Sequence, residues 1–327
     1  MNIAILGAGA WGTALAIALA GRHGVALWAR DPLQAADLAA LRINRRYLPE
    51  VPLPPGVSVT SDAGAALRHA EFALVATPTG ALRETLARIR HVSPALPVIW
   101  ACKGFEPRSS LMPHQIIAEE LGHAAKCAAL SGPSFAIEVA QGRPTALTLA
   151  ADNEGFARAA ARALHQQTLR VYFSSDVIGV EMGGAVKNVM AIATGICDGL
   201  GLGLNARAAL ITRGLAEITR LGVKLGGRPE TFMGLAGAGD LILTCTGDLS
   251  RNRRVGLMLA QGHALEEVLL RIGHVAEGVY SAQEVARIAS EHGAEMPISQ
   301  GVCDVLFHGM GAREAVQQLL ARDPRGE

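Results

Sequence analysis

The sequence predicts an α/β protein in which a doubly wound, mostly parallel sheet is followed by a mostly α-helical C-terminal domain. A glycine-rich turn joins an apolar run to a helical run at the very start of the chain. Short apolar runs then alternate with helical stretches as far as Asp176, and helical periodicity alone continues from Val177. Because 327 residues are too many for one ordinary core, we expect two domains, residues 1–176 and 177–327.

The glycine-rich turn is the most informative single motif. Its sequence GAGAWG, at Gly7–Gly12, follows the apolar run 3–6 and precedes the helical run 13–19. Glycines at Gly7, Gly9 and Gly12 let a pyrophosphate approach bare backbone at a helix N-terminus, which is the arrangement of a Rossmann-type domain that binds a dinucleotide. A glycine-rich turn without a ligand is the alternative, since the motif alone is not specific.

The end of the second predicted strand indicates which dinucleotide is used. An Asp or Glu at this position holds the ribose hydroxyls of NAD, whereas this chain has Arg30 after the run 24–29. A guanidinium can bind a 2′-phosphate, so we expect NADP(H) to be preferred. Asp31 could still receive a ribose hydroxyl, so we expect use of NAD(H) as well. A solvated surface arginine is the alternative interpretation of Arg30.

The apolar N-terminus also raises the alternative of an export signal. Residues 2–21 carry no charged side chain and end near Ala18-Leu19-Ala20, which is similar to a cleavage site. No Lys or Arg precedes the apolar run and three glycines interrupt it, which argues against both export and a membrane span. We therefore expect a cytoplasmic protein that is not integral to a membrane.

Composition narrows the classes of partner. Lys and Arg total 30 and Asp and Glu total 29, so no broad cationic surface suggests nucleic acid. The five cysteines are odd in number and lack CxxC spacing, which argues against a disulfide framework and a zinc site. We expect a small-molecule substrate, no metal and a reducing compartment.

Lysine is rare in this chain, and lysine, unlike arginine, can release a proton near neutral pH. Lys103 follows the apolar run 98–102 at the edge where doubly wound sheets bind ligands, so it is a candidate to hold a carbonyl oxygen or a phosphate. The turn 131–136 also follows a predicted strand, and Ser134 in it could approach an anion. An ordinary surface lysine and a plain turn are the alternatives.

Lys187 lies in a predicted helix about one turn after Gly183 and Gly184. A helical side chain leans toward the preceding turn, so Lys187 leans over these two glycines. Each glycine costs a helix on the order of 1 kcal/mol, and together they leave space in which a ligand could meet the lysine. Close packing against another element is the alternative.

A third cluster lies in the stretch 237–254, which we expect to be rich in loops. Ser250 is a suitable N-cap for a helix that begins near Arg251, so backbone N–H groups, the Asn252 amide and the Arg251 guanidinium could converge on one phosphate. Asp240 could orient Lys187 or a substrate hydroxyl. A solvated basic helix start is the alternative.

Four segments together resemble the bacterial NAD(P)-dependent glycerol-3-phosphate dehydrogenases. They are GAGAWG at Gly7–Gly12, SGPSFA at Ser131–Ala136, AVKN at Ala185–Asn188 and TCTGDLSRNRR at Thr244–Arg254. The resemblance covers nearly the whole chain. It implies the reversible reduction of dihydroxyacetone phosphate to sn-glycerol 3-phosphate for phospholipid synthesis, a Rossmann domain followed by a helical domain, and a homodimer.

The resemblance also implies roles for individual residues. Lys187 would be the catalytic acid and base, with Lys103 and Asp240 as its catalytic partners. The cofactor would be bound by Gly7, Gly9, Ala10, Trp11, Gly12, Arg30, Tyr47, Lys103, Ala136, Arg251, Val275 and Glu277. The substrate would be bound by Lys103, Gly132, Ser134, Lys187, Asp240, Ser250, Arg251 and Asn252.

Two rival functions fit part of the same pattern. One is a reductase of the hydroxyacid or ketopantoate type, and the other is a non-catalytic NADP(H) sensor. A helix start at Ser250–Asn252 suits a phosphate dianion, whereas a carboxylate substrate favours a flatter bidentate arginine site. Oxidation of NADPH by dihydroxyacetone phosphate would separate the three functions.

Overall fold

The computed structural model describes residues 1–273 and 276–323, so Val275 lies outside the described residues. The chain divides into two compact units, Met1–Glu181 and Met182–Glu327. The division falls slightly beyond Asp176, the last residue of the predicted first domain. The reason is that the helix beginning at Val177 contributes Glu181 to the first unit, where its carboxylate binds Trp100.

The first unit is built on one sheet flanked by a small hairpin. Its strands are β1 (Asn2–Leu6), β2 (Gly24–Trp28), β3 (Ile43–Asn44), β4 (Leu48–Pro52), β5 (Val57–Thr60), β6 (Phe72–Val75), β7 (Val98–Trp100), β8 (Cys127–Ser131), β9 (Thr145–Ala150) and β10 (Leu169–Ser174). In the described part of the chain, eight of them form a sheet in the order β10-β9-β8-β7-β6-β1-β2-β5, and β3 pairs with β4.

Helices cover this sheet. They are α1 (Ala10–Leu19), α2 (Pro32–Leu41), α3 (Ala63–Leu67), α4 (Leu82–Val92), α5 (Pro113–Leu121), α6 (Ala136–Ala140) and α7 (Glu154–Leu164). The central strands β6 and β7 are apolar at every position and β1 is apolar from Ile3 onward, because both of their faces are covered, and Ile5, Leu74 and Ile99 are fully buried. This arrangement confirms the predicted α/β fold with a doubly wound, mostly parallel sheet.

Two details of the sheet differ from the prediction. Strands β8 and β9 pair antiparallel, so β9 and β10 run opposite to the six other strands. The stretch 49–56 is rich in proline, which predicts a loop, but it contains most of β4. Its prolines Pro49 and Pro52 are tolerated because a strand of a two-stranded hairpin needs few ladder hydrogen bonds.

The second unit is helical in its described part, as predicted. Its helices are α8 (Val177–Gly199), which begins in the first unit, α9 (Gly203–Lys224), α10 (Pro229–Phe232), α11 (Asp240–Thr246), α12 (Arg251–Ala260), α13 (Leu265–Ile272), α14 (Glu277–Glu291), α15 (Pro297–Phe307) and α16 (Ala312–Leu320). Among the described residues, α8 alone is long and apolar enough to cross a membrane, but 94% of that window is buried inside the protein. It is the core helix.

The stretch 237–254 is more helical than we expected. A π-helical turn occupies Leu235–Gly239 and leads directly into α11. Glycine is needed in this turn for packing, since a Cβ on Gly237 would lie 2.1 Å from the carbonyl oxygen of Phe232. The glycines that suggested a loop therefore permit a tightly packed helical corner.

Candidate active site

Four predicted site residues follow the carboxyl ends of parallel strands in the first unit. Gly7 follows β1, Arg30 follows β2, Lys103 follows β7 and Gly132 follows β8. The carboxyl ends of parallel strands lie at one edge of a sheet. The strand order also reverses between β1 and β6, and such a reversal opens the crevice in which doubly wound sheets bind ligands.

The three glycines of the turn have different surroundings. Gly7 has φ +119°, and a Cβ added there would lie 2.9 Å from the carbonyl carbon of Ala76. A Cβ on Gly12 would lie 1.9 Å from the Gly7 oxygen, whereas a Cβ on Gly9 would meet nothing within 4 Å. Open space therefore lies at Gly9, the N-cap of α1, and the pyrophosphate of a dinucleotide fits there.

Trp11 and Ala136 are brought together because α1 packs on α6. Both side chains are partly buried against one apolar cluster, which includes Leu48 of β4 and Val139 of α6. Ala10, the first residue of α1, is also partly buried. Three residues predicted to bind the cofactor thus lie on adjoining elements around the glycine turn.

Tyr47 lies in the turn that joins β3 to β4. The guanidinium carbon of Arg46 stands 5.1 Å from the centre of its ring, and the Tyr47 N–H donates to Asn44 Oδ1 at 3.2 Å. Asn44 in turn donates hydrogen bonds to Ala8 and Thr13. The hairpin is therefore tied to the glycine turn, and Tyr47 is held beside it.

Arg30 is exposed, and within residues 1–273 and 276–323 its guanidinium makes no ion pair. Asp31 has a structural task, because its Oδ1 accepts a hydrogen bond from the Leu33 N–H at 2.9 Å and caps α2. One carboxylate oxygen of Asp31 is thus committed to the helix. The group that can meet a 2′-phosphate at this position is Arg30.

Lys103, Gly132 and Ser134 form a contiguous cluster. Lys103 Nζ and Ser134 Oγ both donate to the carbonyl oxygen of Gly132, at 3.3 and 3.1 Å. The Lys103 carbonyl oxygen accepts a hydrogen bond from Thr79 Oγ1 at 2.9 Å, which fixes the backbone at the end of β7. An ammonium and a hydroxyl therefore lie together where the first unit can hold an anion or a carbonyl oxygen.

A buried carboxylate, Glu181, lies beside a small cavity near this cluster. It accepts hydrogen bonds from Trp100 Nε1 at 2.8 Å, from the His114 N–H at 2.9 Å and from His114 Nδ1 at 2.5 Å. The cavity has room for about one water molecule and is also lined by Lys103 and Ser131. Ser131 Oγ is buried there without a hydrogen-bond partner among the described residues. The sequence carried one signal for Glu181, a lone charge in an apolar helix start.

The pair of His114 and Glu181 binds one proton tightly. Burial raises the pKa of the Glu181 carboxyl, and its hydrogen bonds from His114 and Trp100 only partly oppose this. Burial would lower the pKa of His114, but the hydrogen bond and charge of Glu181 outweigh it and raise the pKa of the imidazole. Both shifts keep the shared proton on the pair to higher pH.

Lys187 and Asp240 form a buried ion pair in the second unit. Lys187 is 7% exposed and Asp240 is 1% exposed. Lys187 Nζ donates a hydrogen bond to Asp240 Oδ1 and a second one, at 3.0 Å, to Thr244 Oγ1. An ammonium fixed in this way has a carboxylate counter-charge in a buried place and is positioned to give a proton to a ligand oxygen.

The space that we predicted beside Gly183 is filled by the protein. A Cβ on Gly183 would lie 2.3 Å from the carbonyl oxygen of Ala236, so close helix packing is the correct explanation of this glycine. The packing has a consequence for the site. It brings the turn Leu235–Gly239 onto α8, and Asp240 directly follows that turn.

The predicted anion site lies at the start of α12. Ser250 is the N-cap, its Oγ accepting from the Arg253 N–H at 3.3 Å, and Arg251 is exposed in the first turn. Asn252 differs from the expectation, since it is buried and its Oδ1 accepts a hydrogen bond from the Gly278 N–H at 3.0 Å. Its amide oxygen therefore holds the start of α14, and only its NH2 group can face a phosphate.

Arg253, which the sequence patterns did not single out, fixes this helix start. It is 9% exposed and binds Asp198 of α8 through Nε at 2.8 Å and Nη2 at 2.7 Å. It also binds Asp248 at 2.9 Å. Arg251, Arg253 and Arg254 look alike in the sequence, which does not distinguish an exposed arginine from a buried one.

Glu277 is the first residue of α14, and its Oε2 accepts a hydrogen bond from Asn188 Nδ2 at 3.5 Å. This contact joins the start of α14 to α8 at the residue that follows Lys187 in the sequence. The remaining predicted cofactor residue, Val275, falls outside the described residues. In the part of the chain that the structure describes, no three His, Cys, Asp or Glu side chains are grouped to hold a metal.

Comparison with known proteins decides the family. Residues 2–157 match the model of the NAD-dependent glycerol-3-phosphate dehydrogenase N-terminus, and residues 176–317 match that of its C-terminus. The glycerol-3-phosphate dehydrogenase [NAD(P)+] of Aromatoleum aromaticum is 59% identical over 329 residues, which cover 100% of both chains. The chain belongs to the NAD-dependent glycerol-3-phosphate dehydrogenase family.

Other members of this family are similar along their whole length. The glycerol-3-phosphate dehydrogenase [NAD(P)+] of Dechloromonas aromatica is 59% identical over 327 residues, covering 100% of this chain and 99% of the relative. The crystal structure of glycerol-3-phosphate dehydrogenase from Coxiella burnetii superposes with a TM-score of 0.94 at 44% identity. That match covers 98% of this chain and 99% of the other.

Proposed function

We propose that this member of the glycerol-3-phosphate dehydrogenase family reduces dihydroxyacetone phosphate to sn-glycerol 3-phosphate with NAD(P)H, and catalyses the reverse reaction. The observation that carries the proposal is the buried Lys187 ammonium, held by Asp240 and Thr244 in the second unit. The names of the full-length relatives give the same activity.

The first unit binds the dinucleotide at the glycine turn. The pyrophosphate occupies the open space at Gly9, and Arg30 at the end of β2 binds the 2′-phosphate, so NADP(H) is preferred over NAD(H). When bound, the reduced nicotinamide supplies the hydride that the carbonyl carbon of the substrate receives. The further residues that hold the cofactor are Gly7, Ala10, Trp11, Gly12, Tyr47, Lys103, Ala136, Arg251, Val275 and Glu277.

The chain's own residues bind the phosphorylated ketone and handle its proton. Ser250, Arg251 and the Asn252 NH2 group at the start of α12 hold the phosphate. Lys187 gives a proton to the ketone oxygen as negative charge develops there, and Asp240 keeps the ammonium in place. The other substrate-binding residues are Lys103, Gly132 and Ser134, and the Gly132 carbonyl oxygen accepts hydrogen bonds from both Lys103 and Ser134.

Replacement of Lys187 tests the proposal. A positioned proton donor typically contributes about 10²- to 10⁴-fold in rate. Lys187→Ala should therefore lower kcat by about 10²-fold or more while the Kd for NADPH, whose proposed pyrophosphate site lies on the first unit, stays nearly unchanged. The matched control is Lys126→Ala, which removes the charge of an exposed lysine. Normal turnover of Lys187→Ala would exclude the proposed role.

The wild-type protein separates the rival functions in the same assay. We expect NADPH absorbance to fall rapidly with dihydroxyacetone phosphate and not with 2-keto acids. Oxidation with the keto acid instead would indicate a hydroxyacid or ketopantoate type of reductase. Binding of NADPH with no oxidation by either substrate would indicate a sensor.

The cellular setting belongs to the same proposal. We place the enzyme in the cytoplasm as a homodimer that supplies glycerol 3-phosphate to phospholipid synthesis, with residues 1–176 binding cofactor and 177–327 carrying the catalytic lysine. All five cysteines are free thiols, which is typical of a reducing compartment. Sedimentation of the purified protein would test the dimer.

A further inference from the structure

We propose that Asn44 and Gln34 are positioning residues that orient the glycine turn for the cofactor's pyrophosphate. Both act on one atom, the carbonyl oxygen of Ala8, which lies between Gly7 and Gly9. The inference rests on the proposed cofactor site at Gly9. The two residues come from separate elements, β3 and α2, and no motif in the sequence connects either of them to the turn.

The contacts on the Ala8 oxygen are short and come from two amides. Gln34 Nε2 donates at 2.8 Å, and Asn44 Nδ2 donates at 3.0 Å. A carbonyl oxygen has two lone pairs, so these two donors satisfy it completely. The Ala8–Gly9 peptide is therefore held from α2 and from the β3–β4 hairpin at the same time.

Fixing this carbonyl oxygen also fixes the Gly9 N–H. A trans peptide is planar, and its C=O and N–H groups point in opposite directions. With the Ala8 oxygen held toward Gln34 and Asn44, the Gly9 N–H points away from them. Gly9 is the N-cap of α1 and has open space in place of a side chain. The N–H is thus oriented in advance for an anion at the helix start, which lowers the cost of ordering on binding.

Asn44 is itself held rigidly, which suits a positioning residue. It is 2% exposed, and its Nδ2 also donates to Thr13 Oγ1 at 2.7 Å. Its Oδ1 accepts from the Tyr47 N–H at 3.2 Å. Only an amide serves all of these partners, because a carboxylate would place a second acceptor against the Ala8 oxygen. Tyr47 is therefore located by the same side chain that orients the turn.

The test measures cofactor binding directly, by calorimetry, with Gln34→Ala and Asn44→Ala. Loss of one such hydrogen bond should raise the Kd by about 3- to 10-fold. NADPH, NADH and ADP-ribose should be affected equally, since all three contain the pyrophosphate. Adenosine 2′-monophosphate, which lacks it, should bind each variant as it binds the wild type. The double variant should have a Kd for NADPH that is higher by roughly 30-fold or more.

Gln34→Ala keeps the test decisive if Asn44→Ala folds poorly, because Gln34 is only partly buried. The matched control is Ser58→Ala, which removes the hydrogen bond from Ser58 Oγ to the Val25 oxygen, away from the turn. It should bind NADPH normally. If Gln34→Ala weakened adenosine 2′-monophosphate as much as NADPH, its effect would be a general structural one, and that result would overturn the inference.

A third variant separates this inference from the proposed cofactor site. Gly9→Val should fill the open space and weaken every pyrophosphate-containing ligand. If Gly9→Val weakens NADPH while Gln34→Ala and Asn44→Ala do not, the positioning role is wrong and the cofactor site stands. If none of the three variants weakens NADPH, both are wrong.

Discussion

The Lys187 ammonium donates a hydrogen bond to the Asp240 carboxylate, and Gly183 is what allows the two to meet. Gly183 lies one turn before Lys187 on α8, and its missing side chain admits the carbonyl oxygen of Ala236. The helical turn that contains Ala236 ends directly before Asp240. A packing feature of the core thus places the counter-charge of the proposed proton donor.

The first prediction concerns that counter-charge. Asp240→Asn keeps the volume of the side chain and removes its charge. The buried Lys187 ammonium then loses its carboxylate partner, and Thr244 remains as the other hydrogen-bond partner described above. Breaking one side of a buried ion pair typically costs about 3–5 kcal/mol, so the melting temperature should fall and kcat should drop by about 10²-fold or more. Steady-state kinetics and thermal denaturation measure both effects.

Asp248→Asn is the matched control for this prediction. The Asp248 side chain is 97% exposed, and its ion pair with Arg253 lies at the surface on that side. The Asp248→Asn variant should leave kcat nearly unchanged. Equal kcat values for wild type and Asp240→Asn would remove the positioning role of the carboxylate.

The second prediction separates two glycines of one turn. Gly12→Ala forces a Cβ to within 1.9 Å of the Gly7 oxygen, so it should destabilise the protein by about 1–3 kcal/mol. A Cβ on Gly9 meets nothing within 4 Å and the residue has extended backbone angles that valine adopts readily, so Gly9→Val should keep the melting temperature of the wild type. Its Kd for NADPH should nevertheless rise by at least tenfold. Comparable melting temperatures for the two variants would contradict this explanation of the turn.

The third prediction concerns cofactor choice. Arg30→Asp replaces an exposed cation by an anion at the end of β2, and it should raise the KM for NADPH much more than the KM for NADH. Arg68→Asp makes the same change of charge at another exposed position of the first unit and should alter neither value. An equal rise for both cofactors in Arg30→Asp would eliminate the 2′-phosphate contact.

The fold class could be predicted from the sequence because the patterns that indicate its strands and helices are local. Apolar runs bounded by turns predicted the strands, and the glycine turn predicted where the first helix begins. The reversal of β9 was not predictable, because the pattern of apolar residues in a strand does not depend on whether the strand runs parallel or antiparallel to its neighbour. Gly237 and Gly239 led to the wrong prediction of a loop, because glycine occurs both in loops and in close-packed helical corners.

Site residues that lie within a recognisable sequence motif could be predicted. Contacts between side chains that are far apart in the sequence could not. Lys187 and Ser250 lie in recognisable segments. The contact of Asn44 with Ala8 joins residues 36 positions apart, and that of Glu181 with His114 joins residues 67 positions apart. Such pairs depend on how elements pack, which local pattern does not encode.

The fourth prediction concerns pH. The pKa of His114 is raised above the usual 6.5 in the folded protein, and that of Glu181 is raised above 4.5. A group whose pKa is raised on folding stabilises the protein below its unfolded pKa, and this contribution is lost as pH rises through the folded value. The melting temperature should therefore decline from about pH 6.5 upward as the shared proton leaves. Glu181→Gln removes the carboxylate that raises the pKa of His114 and should flatten this decline in a series of melts at different pH, whereas a parallel decline would show that another group causes it.

The last prediction separates two arginines at the start of α12. Arg251→Ala removes an exposed guanidinium from the proposed phosphate site, so it should raise the KM for dihydroxyacetone phosphate by about tenfold or more, with little change in melting temperature. Arg253→Ala removes one of the two arginines that pair with Asp198 among the described residues, Arg207 and Arg253, and should cost about 1.5–3 kcal/mol of stability because this carboxylate is largely buried. Any rise in KM in Arg253→Ala should come from loosening of the helix start. This rise should be smaller when Asp198→Asn is added, because the double variant no longer contains the buried Asp198 carboxylate without its Arg253 partner. If Arg251→Ala left the KM of both substrate and cofactor unchanged, the phosphate would have to be held elsewhere.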